Sequence, residues 1–63
     1  MADDGWLLVQ EAEIEAIKIE IQGMIAENQY RMYRKEQVAF VEEHFVKKAA
    51  ELRSIANVIM HYR

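Results

Sequence analysis

The sequence contains no cysteine, no proline and no threonine, and it has only two glycines and one serine. Without cysteine the chain can form neither disulfides nor the thiolate metal sites that stabilise many small domains. Because proline, glycine and serine are the usual breakers of regular structure, their scarcity predicts an almost entirely helical chain. We therefore expect an all-α fold.

Long apolar runs are also missing. A helix needs about 20 apolar residues to span a bilayer, and no segment approaches that length. The run Trp6–Val9 is too short for a signal peptide, and acids rather than bases precede it. These features predict a cytoplasmic protein without a membrane span.

The 63 residues are enough for a single domain covering 1–63. A chain of about 60 residues buries only about 60% of its unfolded surface and is marginally stable alone. Since neither disulfides nor thiolate metal sites can compensate, a protein partner is the remaining source of stability. Charge is uneven, with a net −6 in residues 1–29 and +3 in residues 30–63, which favours folding one half against the other.

Two apolar stripes follow the first half of the chain at helical spacing. The inner stripe consists of Ile14, Ile17, Ile21 and Met24, with Leu7 upstream. The outer seam, about half a turn away at 100° per residue, consists of Ala12, Ala16, Ile19, Gly23 and Ala26. A third stripe in the second half contains Val38, Val41, Phe45, Ala49, Leu52, Ala56 and Ile59, and Phe40 falls on its opposite side.

Two arrangements fit these stripes. The heptad register of the inner stripe places Asn28, Arg31 and Lys35 at the next core positions, and three successive polar residues indicate an interruption. This predicts a two-helix antiparallel hairpin with helices near 5–27 and 36–62. The alternative is one long coiled-coil helix, in which Tyr30–Lys35 would also be helical.

In the hairpin, the inner stripe and Ile25 would pack on the second helix and the outer seam would face outward. Alanine is simply a good helix former, which explains three seam positions. It does not explain Gly23, which costs about 1 kcal/mol in a helix interior, or the exposed Ile19. We therefore interpret the outer seam as a partner-binding surface. The reverse assignment, with the small residues facing the second helix, remains open.

No catalytic, cofactor or metal site is predicted, and an enzyme is not expected. His44 and His61 stand seventeen residues apart, and neither has a glutamate three residues before it, as bundle di-iron sites require. Tyr30–Lys35 is the one basic and aromatic cluster, and such clusters bind nucleic acid. The acidic first half opposes a nucleic-acid partner, so we interpret this segment as a connector.

The last segment, residues 48–62, reads KAAELRSIANVIMHY. It resembles the closing helix of the small co-chaperones of type III secretion needle subunits, in its leucine-x-serine step, its alternating small and aliphatic residues and its terminal His-Tyr.

The resemblance implies a non-enzymatic cytoplasmic hairpin that binds a larger helical-repeat chaperone and helps to keep a needle subunit soluble before export. The alternative function is a homodimeric four-helix bundle that acts as a regulator or binds nucleic acid through Tyr30–Lys35.

Overall fold

The computed structural model describes residues 4–61, which form two antiparallel helices joined by one loop. Helix α1 spans Asp4–Tyr33 and helix α2 spans Glu42–His61. The all-α hairpin is confirmed, and one continuous helix is wrong because residues 34–41 are not helical. The expected end of the second helix at residue 62 lies outside the described residues.

The helix bounds differ from the prediction, because α1 continues six residues beyond Glu27. Asn28 and Arg31 do occupy core positions and are half-buried, yet they do not end the helix. The Arg31 guanidinium donates to the Glu27 carboxylate at 2.7 Å, an i,i+4 pair that supports this turn. Tyr30–Tyr33 is therefore helical rather than part of a connector.

Two residues after the end of helix α1 at Tyr33, Lys35 adopts a left-handed backbone with φ of 61°. The Glu36 N–H donates to the Arg31 carbonyl at 2.8 Å, and the Lys35 N–H donates to the Met32 carbonyl at 3.0 Å. This pair of bonds is the Schellman arrangement, which satisfies the last carbonyls of a helix. The left-handed residue is thus Lys35, although glycine or asparagine is the usual choice.

Helix α2 begins six residues later than predicted, so Val38 and Val41 lie in the loop rather than in a helical stripe. Val41 is its N-cap. The His44 N–H donates to the Val41 carbonyl at 3.0 Å, and His44 Nδ1 accepts from the Val41 N–H at 3.0 Å. A histidine therefore takes the reciprocal role that glutamate has in a capping box.

The core is small because the two helices form a single layer. The Cα atoms extend over 53 × 18 × 9 Å, and among residues 5–61 only Ile17 and Met24 are buried. The flanking residues of the interface are half-buried, namely Ile14, Ile21, Phe45, Ala49, Leu52, Ile55 and Ile59. Within residues 4–61 neither helix is long and apolar enough to cross a membrane.

Candidate partner-binding surface

The inner stripe faces α2, which resolves the orientation of α1. Ile17 and Met24 are 4% and 7% exposed, whereas Ile19 on the outer seam is 69% exposed. The upstream and flanking residues of the expected inner face, Leu7 and Ile25, are open to solvent at 38% and 37%. The reverse assignment, with the small residues against α2, is therefore wrong.

All five residues of the outer seam lie exposed on α1: Ala12, Ala16, Ile19, Gly23 and Ala26. A Cβ atom added at Gly23 would meet no atom within 4 Å. Packing inside this chain therefore does not require glycine at position 23. The seam leaves room for a neighbouring helix from another molecule.

Larger apolar side chains extend this surface beyond the outer seam. Leu8, Ile19 and Tyr30 are 62%, 69% and 56% exposed and stand eleven residues apart. Eleven residues turn a helix by about 1,100°, only about 20° more than three full turns, so the three lie nearly on one line. The eleven-residue spacing was the sequence signal for this line, which the interpretation based on small residues missed.

The total accessible surface is large for a chain of this mass. It amounts to 5342 Å² for 7.5 kDa. A compact monomer of this mass exposes about 4,250 Å², so the excess is roughly 1,100 Å². A standard protein interface takes about 800 Å² from each partner. The hairpin thus exposes an interface-sized surplus of surface.

One ion-pair cluster connects the two helices. The Lys48 ammonium lies 2.9 Å from the Glu20 carboxylate of α1 and 3.3 Å from the Glu51 carboxylate of α2. The hydrogen bond to Glu20 is the main cause that raises the pKa of Lys48 above 10.5, partial burial opposes it, and Glu51 adds to it. Lys48 thus links α1 to α2 at this point of the interface.

In the basic and aromatic segment Tyr30–Lys35, the Arg34 side chain pairs with residues in or next to the segment. The Arg34 guanidinium lies 5.5 Å from the centre of the Tyr30 ring and donates to the Tyr30 hydroxyl at 3.2 Å. It also lies 3.7 Å from the Glu36 carboxylate. Within the part of the chain that the structure describes, no three histidines or carboxylates cluster as a metal site would require.

Comparison with known proteins gives no relative: no family model, no curated protein and no solved structure matches this chain. The case for function therefore depends on the surface itself.

Proposed function

We propose that this protein is a non-enzymatic adaptor or co-chaperone that works by binding the helices of another protein. The observation that carries the proposal is the roughly 1,100 Å² of surplus surface on a hairpin in which only two side chains are buried among residues 5–61. Exposed apolar residues occur on several sides of α1, so a single neighbouring helix cannot cover all of them. Docking against a partner would cover this surface.

The partner we propose is a larger helical-repeat chaperone, and the cargo of the pair is a type III secretion needle subunit. This part of the proposal depends on the resemblance of residues 48–62 to the co-chaperones of such subunits. A concave face built from repeated helices could enclose α1 along the line of Leu8, Ile19 and Tyr30. The hairpin would contribute binding surface alone.

Electrostatics favours a different protein over a second copy as the occupant of this surface. Helix α1 has six acids and two bases, so its net charge is −4, whereas α2 has three of each. Pairing α1 with another α1 would bring two acidic helices together, and juxtaposed like charges oppose association. A homodimer through α1 is therefore disfavoured, and light scattering over a range of concentrations should show a monomer.

Co-expression tests the proposal directly. The chain should co-purify stoichiometrically with the helical-repeat chaperone of a type III secretion system, and its presence should keep the needle subunit in the supernatant after ultracentrifugation. Ile19→Glu should weaken binding by about tenfold or more, as substitution of a central apolar contact does. Val58→Glu, at a 48% exposed position on α2, is the matched control and should bind normally.

Two results would contradict the proposal. A chain that never co-purifies with such a chaperone, and instead forms a concentration-independent dimer, would favour the self-contained four-helix bundle. If Ile19→Glu bound as tightly as the unchanged chain, the outer seam would not be the contact surface.

A further inference from the structure

Negative charge is concentrated in the half of α1 at the open end of the hairpin, where α1 begins and α2 ends. Residues 4–18 contain four acids and one base, so their net charge is −3. In the other half of α1 both acids contact a base. Glu20 lies 2.9 Å from the Lys48 ammonium, and Glu27 lies 2.7 Å from the Arg31 guanidinium. The hairpin therefore neutralises the acids of one half of α1 better than those of the other.

Two glutamates near the open end have no base in contact. Glu11 and Glu13 are exposed, and neither forms an ion pair with any residue in the part of the chain that the structure describes. Arg53 is the one lysine or arginine among residues 52–61 of α2, and it too is exposed and forms no ion pair within residues 4–61. Helix α2 thus provides no ion-pair partner for these carboxylates.

Acidic side chains border the exposed apolar line of α1 at Leu8 and Ile19. Residues three or four apart are neighbours on a helix surface. Glu11 follows Leu8 by three residues, and Glu15 precedes Ile19 by four. The Glu15 carboxylate lies 3.2 Å from the Lys18 ammonium, but both side chains are more than half exposed, and such pairs contribute little. The apolar line therefore has an acidic rim that remains open to charges from outside.

This combination of charge and apolar surface restricts the chemistry of the partner. Exposed apolar surface with a polar rim is typical of a protein-binding site. Like charges placed against each other oppose association, whereas complementary charges select the partner and accelerate binding. An acidic helix would bring its carboxylates against Glu11 and Glu15, and a second copy of α1 has the same acidic rim. A basic surface meets both carboxylates with opposite charge.

We propose that the partner covers Leu8 and Ile19 with an apolar helical strip flanked by lysine or arginine side chains, an inference that rests on the proposed function. The apolar strip buries the two exposed side chains, and the flanking bases pair with Glu11 and Glu15. The partner is thus a basic, amphipathic helical surface of a different protein.

The test uses the full chain and two synthetic helical peptides, whose leucines at heptad positions are flanked by lysines in one peptide and by glutamates in the other. The lysine peptide should bind saturably and shift the Leu8, Glu11 and Ile19 amide signals in a ¹⁵N–¹H spectrum. The glutamate peptide should bind at least about tenfold more weakly, because it brings like charges together. Raising the salt concentration from about 0.05 M to about 0.5 M should weaken binding of the lysine peptide, since salt screens exposed charges.

Two double variants with the same change of charge locate the contact. Glu11→Gln with Glu15→Gln removes the acidic rim and should weaken binding of the lysine peptide about fivefold. Glu42→Gln with Glu43→Gln removes two exposed acids from the first turn of α2, at the closed end, and should leave binding unchanged. Glutamine is nearly as good a helix former as glutamate, so all variants should remain helical, and circular dichroism checks this.

Equal affinity for the two peptides, no saturable binding of the lysine peptide, or equal effects of the two double variants would overturn the inference. Co-purification with the chaperone is a separate result. A chaperone complex without selective binding of the lysine peptide would remove only the basic surface. Selective peptide binding without a chaperone complex would support the basic surface and remove only the proposed chaperone.

Discussion

Replacing Asn28 by alanine should destabilise the hairpin more than any other single polar substitution in α1. Its side chain makes three hydrogen bonds to the loop: it accepts from the N–H groups of Ala39 and Phe40 at 3.1 and 3.0 Å, and it donates to the Phe40 carbonyl at 2.8 Å. At about 0.5–1.5 kcal/mol each, these bonds contribute roughly 1.5–4.5 kcal/mol. Alanine is a better helix former than asparagine, and this difference offsets less than about 0.7 kcal/mol of the lost stability.

The expected net loss is therefore about 2 kcal/mol in the free energy of unfolding. A 63-residue chain at about 0.05–0.15 kcal/mol per residue has only about 3–9 kcal/mol in total. Urea unfolding followed by circular dichroism measures this loss, and amide exchange at Ala39 and Phe40 should accelerate in parallel.

The neighbouring amide provides a matched control, since Gln29 is exposed and forms none of these bonds. Gln29→Ala should change the free energy of unfolding by less than about 0.5 kcal/mol, as surface substitutions usually do. If Asn28→Ala had as small an effect as Gln29→Ala, the loop would be held by something other than the Asn28 side chain.

Two further substitutions test the closed end and the ion-pair cluster. Lys35→Gly should stabilise the hairpin by about 0.5–1 kcal/mol in urea unfolding, because the φ of 61° is unfavourable for lysine but not for glycine; a loss of stability would contradict the assigned helix end. The pKa of Lys48 is higher in the folded chain than its ordinary 10.5, so the stabilisation by this group is present below that pH and is lost as the pH rises through the folded value. Between about pH 9 and pH 11.5, the unchanged chain should therefore lose more stability than Lys48→Met, and equal losses would rule out the pair with Glu20 as a contributor.

The hairpin was predictable because its helices carry regular apolar stripes. Ile17 and Met24 of the inner stripe are the two buried side chains of the described interface, as their heptad spacing predicted. The helix ends were not predictable from that spacing. Polar residues at core positions predict a break in the helix, yet the Asn28 side chain binds the loop backbone while α1 continues past it.

The surface was only partly predictable, for a physical reason. Helical periodicity fixes which residues share a side of α1, so the exposure of Ile19 could be expected. The sequence pattern predicts Phe40 on the outside of the second helix, but Phe40 lies in the loop and is half-buried against His44. Its position depends on the bonds to Asn28 across the hairpin, and contacts of this kind have no periodic signal in the sequence.

The two helices differ in how much of their apolar surface the hairpin itself covers, and this difference bears on function. Among the described residues, α2 exposes three large apolar side chains, those of Val46, Val58 and Met60. Helix α1 exposes eight, and Leu8, Ile19, Tyr30 and Tyr33 are among them. A single layer of two helices can cover only one stripe of each helix. It follows that α2 shields one stripe of α1 within the chain and that a partner must shield the others. Charged substitutions should therefore weaken partner binding more on the exposed sides of α1 than on the outer side of α2.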